Sequence, residues 1–375
     1  MTRLTAREAC LRFGLIALLV PSCSVSTGDA NRSSASPVGT ERPADDDCED
    51  TFPVDTLPAN DDIHMGVHIP NEAALPDLLS ETGLYADITD KAVHPALRQY
   101  RPEFQLWSDG ADKERWIYIP ECDTVDTSDM DSWSVPVGTR LFKEFSLDGQ
   151  RIETRLVERI GAGPRDFAFA SYLWNEDESE ATKLGPEGLQ NALGTTHDVP
   201  SKAQCFMCHG SYAYGGGVPS RALGFSAIQL THAESGIDLA ELETAGAISS
   251  APITAPSIPG TEEDRAALGY LHANCGNCHN GSSDRVPQVD LSFWLDHDLD
   301  SVEDSDAWRT AVGQPTKLFK DQHVTGRIVP GDPSHSAVLY RMSLRGNPGQ
   351  MPPIASEMPD PEGLAIIEEW IGGME

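Results

Sequence analysis

The chain has 375 residues, enough for about two domains plus tails, and 39% of them are hydrophobic, enough for an ordinary core. Its 59 acidic residues against 27 basic ones give a formal net charge of -32. That excess excludes a surface built to hold nucleic acid or anionic lipid and favours basic protein partners, although most of the charge reads as solvation.

Residues 1–22 read as a signal peptide. Arg3, Arg7 and Arg12 make a positive start, and the apolar stretch from Phe13 to Val20 is too short to span a bilayer as a helix. No twin-arginine pair is present, which favours export of an unfolded chain. Val20-Pro21-Ser22-Cys23 is similar to a bacterial lipobox, with Cys23 as the lipidated residue. Pro21 fits that pattern imperfectly, and cleavage nearby with Cys23 left as a thiol is the alternative. Ser24 in place of Asp points to the outer membrane. Residues 23–62 are rich in Ser, Pro, Asp, Thr and Ala and contain the acidic run Asp45, Asp46, Asp47, Glu49 and Asp50. Such a segment cannot bury enough apolar surface to order itself, so a flexible acidic tether is predicted.

Residues 63–200 are predicted to form a β-rich domain. Trp116-Ile117-Tyr118-Ile119, ended by Pro120, is one strand and Leu141 to Phe145 another. Ile152, Thr154, Leu156, Glu158 and Ile160 share one parity, and Phe167 and Phe169 alternate with alanines. Gly138, Asp148-Gly149 and Gly161-Ala162-Gly163-Pro164 supply turns, so a small antiparallel sheet or sandwich with its aromatics in the core is expected. Residues 201–260 form a separate segment, and from 261 to 375 the pattern is helical. Thr261 with Asp264 is a capping-box signature, and that helix should run to about Ala273 and deliver Cys275. Asp332-Pro333 predicts a helix through Leu344. Asp360-Pro361 predicts another, with Leu364, Ile367, Trp370 and Ile371 on one face and Gly372-Gly373 at its end.

Two Cys-x-x-Cys-His motifs follow the β-rich domain, Cys205-Cys208-His209 in the segment 201–260 and Cys275-Cys278-His279 in the helical part. Two thiols at this spacing can each reach one vinyl group of the same porphyrin, and the next histidine is then held beneath the iron. This composition yields about 0.005 chance occurrences of the motif, and two occur. They predict two covalently bound haem c groups, with zinc or disulfide loops as the bland alternatives. Of the eight cysteines, Cys10 leaves with the signal, Cys23 takes lipid and four bind haem. Cys48 and Cys122 remain and are expected to form a disulfide. For the second haem, Met351 in Gly349-Gln350-Met351-Pro352-Pro353 is the candidate sixth ligand. Met342, its rival, sits on a predicted helix and reads as core. Between His209 and Cys275 there is no methionine. His232 is the candidate for the first haem there, with an open position or a ligand from elsewhere as equal alternatives. The acidic run from Asp296 to Asp306 lacks EF-hand spacing and reads as a solvated face.

The stretch from Tyr270-Leu271-His272-Ala273-Asn274-Cys275 through Val329-Pro330-Gly331-Asp332-Pro333 and Met351-Pro352-Pro353 to Trp370-Ile371 resembles class I cytochrome c domains of exported bacterial proteins. The resemblance implies that His279 and Met351 ligate iron. From about Leu106 onward the chain resembles a group of exported di-haem c-type cytochromes. The supporting stretches are Leu106-Trp107-Ser108-Asp109-Gly110-Ala111, Pro136-Val137-Gly138-Thr139, Glu153-Thr154-Arg155-Leu156 and Trp174-Asn175-Glu176-Asp177. The fold expected is α+β, an antiparallel β-rich domain followed by an α-helical cytochrome c-like haem domain. The function expected is electron transfer on the periplasmic side of the cell envelope, from an outer-membrane lipoprotein held only by its lipid anchor, to redox partner proteins. A haem enzyme of peroxidase or oxidase type, using an open position at the first haem, is the alternative. A haem-based docking or sensing lipoprotein is the third.

Overall fold

A computed structural model of the chain describes residues 62–64, 67–69, 75–121, 123–163, 166–209, 222–231, 236–252, 254–281 and 289–375. The predicted signal peptide, Cys23, nearly all of the tether, Cys48, Cys122 and His232 lie outside these residues. Among the described residues no helix is long and apolar enough to cross a membrane.

The architecture is mixed α+β. Strands β1 (Asp62–His64) and β2 (Val67–Ile69) pair antiparallel, as do β3 (Tyr85–Asp87) and β4 (Ala92–Val93). The main sheet has six antiparallel strands: β5 (Arg98–Gln99), β6 (Asp112–Tyr118), β7 (Arg140–Leu147), β8 (Gln150–Arg159), β9 (Phe167–Trp174) and β10 (Ala181–Lys183). Each pairs with its sequence neighbour, so the sheet is a plain meander. The predicted strand runs lie within it except for Ile119 and Ile160, each one residue beyond its strand. Asp148 and Gly149 join β7 to β8 with φ of 51° and 82°. Two left-handed residues in a two-residue loop match the right-handed twist of the flanking strands.

Side-chain alternation gives the sheet two faces. One carries Trp116, Tyr118, Phe142, Leu156, Tyr172 and Trp174 into a core closed by Leu75, Leu79 and Leu84. Each fully buried side chain of this size stabilises the fold by about 1.5–3 kcal/mol. The other face carries Ile117, Leu141 and Phe169 against Phe206, Phe225 and Leu230. It also carries charge: Arg155 forms a two-pronged ion pair with Glu153 at 2.6 and 2.8 Å, and His197 Nε2 meets the same carboxylate at 2.7 Å.

Beyond the sheet lie α1 (Lys202–His209), α2 (Leu239–Thr244), α3 (Glu262–Leu271), α4 (Asp306–Ala311), α5 (Ala337–Ser343) and α6 (Pro361–Gly372). The capping box at Thr261 and Asp264 is formed with both reciprocal bonds. The helix it starts ends two residues earlier than predicted, and a widened π-turn over His272–Gly276 carries Cys275 instead. Asp360 caps α6 by accepting from the amides of Glu362 and Gly363. Ile367, Trp370 and Ile371 are buried against Leu268, Leu271 and Met342, as the pattern predicts.

The single helix expected from Asp332 to Leu344 is broken. A short 3-10 turn, Pro333–His335, is separated from α5 by Ser336, whose backbone is extended at φ -88° and ψ 119°. The Ser336 hydroxyl donates to the Asp332 carbonyl at 2.9 Å and accepts from the Val329 amide at 2.8 Å. These bonds to neighbouring backbone compete with helix continuation.

Candidate functional site

Each Cys-x-x-Cys-His motif is seated by an aromatic side chain. On α1, Phe206 packs edge-on against Phe169 of β9 at 5.0 Å between ring centroids, and the same Phe169 meets the His209 ring at 5.2 Å. At the second motif the His279 amide donates to the Cys275 carbonyl at 2.8 Å, and the Phe293 amide donates to the His279 carbonyl at 2.8 Å. That bond brings the Phe293 ring edge-on to His279 at 6.0 Å.

The two motifs meet in space although they are about 70 positions apart in sequence. The Cys278 thiol donates to the Met207 carbonyl at 3.6 Å, and Cys208 and Cys278 are hydrogen-bonded to each other. Both motifs open onto one cavity of about 1010 Å³, at the top of the usual range of about 300–1,000 Å³ for small-molecule pockets. Met351 and Met342 also line it, with Phe293, Leu291 and Phe319 supplying apolar wall. Met342 is buried in the helical core as well, in keeping with its reading as core. His272, the second histidine of the interval between the motifs, is a structural residue: its Nδ1 accepts from the Leu295 amide at 3.1 Å and its ring packs on Trp294 at 4.6 Å.

Burial governs the electrostatics here. Burial, and then the nearby Arg341 and Arg327, push His279 down to about 4, so its imidazole is neutral at ordinary pH. Its Nδ1 is buried without a hydrogen-bond partner. Burial and then Cys278 push the Cys275 thiol up to about 12. The hydrogen bond with Cys278, then burial, holds Cys208 well above the ordinary thiol range. None of the four described cysteines is in a disulfide. Among the described residues no three His, Cys, Asp or Glu side chains come together to hold a metal ion by themselves.

The loop that presents Met351 is fastened at both ends. The Met351 amide donates to the Arg341 carbonyl at 3.0 Å, and Arg341 Nε donates to the Gly349 carbonyl at 2.7 Å. Further along, the buried Asp109 carboxylate accepts from Ser356 Oγ at 3.1 Å and from the amides of Glu357 and Met358 at 2.9 and 3.0 Å. Trp107 Nε1 donates to the Met358 carbonyl at 3.0 Å, and the Trp107 amide donates to Asn274 Oδ1 at 2.8 Å. The stretch Leu106 to Ala111 thus ties the sheet to the Met351 loop and to the residue before Cys275. Asp109-Gly110 is a turn dipeptide with φ of 51° and 80°, and its sequence signals the turn but not the partner. Asp109→Ala removes three bonds to a buried carboxylate, and we expect it to cost about 1.5–3 kcal/mol. Urea unfolding checks this, and a loss below 0.5 kcal/mol sinks the assignment of a clamp.

No family model, no curated protein and no solved structure matches this chain.

Proposed function

We propose that this chain is an exported di-haem c-type cytochrome that carries electrons in the bacterial cell envelope. The observation that carries the reading is the convergence of both Cys-x-x-Cys-His motifs, with Met351, on one large, mostly apolar cavity. The residues suit the group. His279 offers a neutral nitrogen donor, the cysteines are thiols, and the aromatic walls fit a flat apolar macrocycle. Cys205 and Cys208 would hold one porphyrin, and Cys275 and Cys278 another, each thiol adding its S–H across one vinyl double bond. Sulfur goes to one carbon and hydrogen to the other, with no net change of electrons. When bound, the haems supply one-electron ferric–ferrous chemistry.

The chain's own residues do the rest. His209 and His279 would each hold one iron through an imidazole nitrogen, and Met351 would hold the second iron through its thioether. The contact of Cys278 with Met207 and Cys208 brings the two attachment edges together, which suits fast passage of an electron between them. The net charge of -32 suits a basic redox partner. His232 remains the candidate sixth ligand at the first iron, and Cys23 the candidate for a lipid anchor facing the periplasm.

The test is intact mass and haem-stained electrophoresis of protein matured with the cytochrome c assembly apparatus. The wild type should carry two haems that survive denaturation. The double substitutions Cys205→Ser/Cys208→Ser and Cys275→Ser/Cys278→Ser should each remove one. Bare thiols or zinc in the mature wild type would end the proposal.

A further inference from the structure

Three cations stand side by side across the sheet. Register sets Arg115 of β6 opposite Lys143 of β7, and Lys143 opposite Arg155 of β8. All three line the cavity. Strands lie about 4.8 Å apart, so the row spans about 10 Å. Like charges directly opposite one another on neighbouring strands destabilise a sheet. In a chain with 59 acidic residues and 27 basic ones, counter-charge is abundant, yet this row is poorly supplied with it.

The shortage is uneven. Arg155 has Glu153. Lys183, also at the cavity, has Asp77 at 2.9 Å. Among the described residues the buried Arg115 side chain donates to the neutral Gln105 Oε1 at 3.2 Å and pairs with no carboxylate. Lys143 rests its ammonium over the Phe145 ring at 4.7 Å, and among the described residues no carboxylate pairs with it. Burial, then Arg115, Arg155 and Lys113, drives Lys143 well below the ordinary lysine range, and Glu153, already engaged by Arg155 and His197, offsets them only in part. A buried cation without a counter-charge is costly. The row therefore suits an anion that arrives from outside the chain.

Position names the anion. Arg155 pairs with Ser171 of β9, two residues from Phe169, whose ring meets Phe206 and His209 of the first motif, and the strand order then leads from Arg155 away from that motif to Lys143 and Arg115. A porphyrin carries its two carboxylates on the edge opposite its vinyl groups. We propose that Lys143 and Arg115 form the carboxylate site for the porphyrin attached at Cys205 and Cys208, an inference that rests on the haem reading above. Lys143 pairs with one carboxylate as a point charge, and Arg115 offers its planar fork to the other.

The experiment uses the full chain with both haems. Its variants are Lys143→Met and Lys143→Arg, and the first haem is assigned as the redox wave that Met351→Ala leaves in place. Because Lys143→Met relieves repulsion within the row, the fold should hold. The expected result is a lower potential for the first haem in Lys143→Met, since a cation that opposes the ferric charge is gone. The resonance Raman mode of the porphyrin carboxylates should shift, and Lys143→Arg should restore both. A potential and a carboxylate mode that do not move overturn the inference. A change of spin state, or new carbon monoxide binding, in Lys143→Met overturns it too, because Lys143 would then be an iron ligand. A wild-type potential that responds to added acetate, with the response lost in Lys143→Met, assigns the site to a diffusible carboxylate and also overturns it. Absence of two covalent haems in the wild type fails the functional reading itself, and the mass measurement separates that case from the others.

Discussion

Met351→Ala should lower the reduction potential of the second haem by on the order of 0.1–0.3 V, within the roughly 0.8 V range that axial ligands command. A thioether donor favours ferrous iron, so His/Met ligation raises the potential and its loss lowers it. The variant should stay folded, because Met351 is only half-buried at the cavity wall and its loop is held through the Arg341 and Asp109 bonds rather than through its side chain. Met342 supplies the control. It lines the same cavity but is buried among Leu268, Leu271 and Ile367. Met342→Ala should cost about 2–5 kcal/mol of stability and leave the potential nearly where it was. Potentiometry on both variants, with urea unfolding alongside, decides the matter. If Met342→Ala moves the potential and Met351→Ala does not, the two methionines have been assigned the wrong way round.

The strands and helix starts were legible because they depend on local pattern. Alternation in Gln150–Arg159 and the capping box at Thr261 are written within a few residues of each other. The break at Ser336 was not legible, because its hydroxyl partners at Asp332 and Val329 look like any other loop residues until the chain has folded. The two motifs were legible one at a time. Their contact through Cys278 and Met207 was not, since it joins positions 71 residues apart. The row of Arg115, Lys143 and Arg155 is invisible in sequence for the same reason. Each cation is an ordinary polar residue on its own strand, and only the register sets them in line. The stretch Leu106 to Ala111 was picked out by resemblance alone, and its physical role as a tie to the Met351 loop needed the fold.

Glu153→Gln should destabilise the protein by about 3–5 kcal/mol at neutral pH, the usual cost of removing one partner from a buried ion pair. Glu153 is fully buried and holds both Arg155 and His197. Burial alone would raise its carboxyl, but the Arg155 guanidinium and the His197 bond outweigh burial and bring it down to about 2. The folded value thus lies below the ordinary glutamate value of about 4.3, so the stabilisation is complete above that value and disappears as pH falls through about 2. A shift of this size is worth about 3 kcal/mol, in line with the expected mutational loss. Glu144 and Glu158 act in the opposite sense. Burial outweighs Arg151 at the one and Arg140 at the other, both carboxyls titrate high, and their protonation favours the folded state as pH falls. The wild type should therefore hold its stability until the Glu153 window and then lose it steeply. Glu153→Gln starts lower and lacks that steep limb, because the carboxylate that Arg155 and His197 share is gone at every pH. Urea unfolding from pH 7 to pH 2.5 on both proteins reads the difference, and parallel acid limbs would show that Glu153 does not carry it.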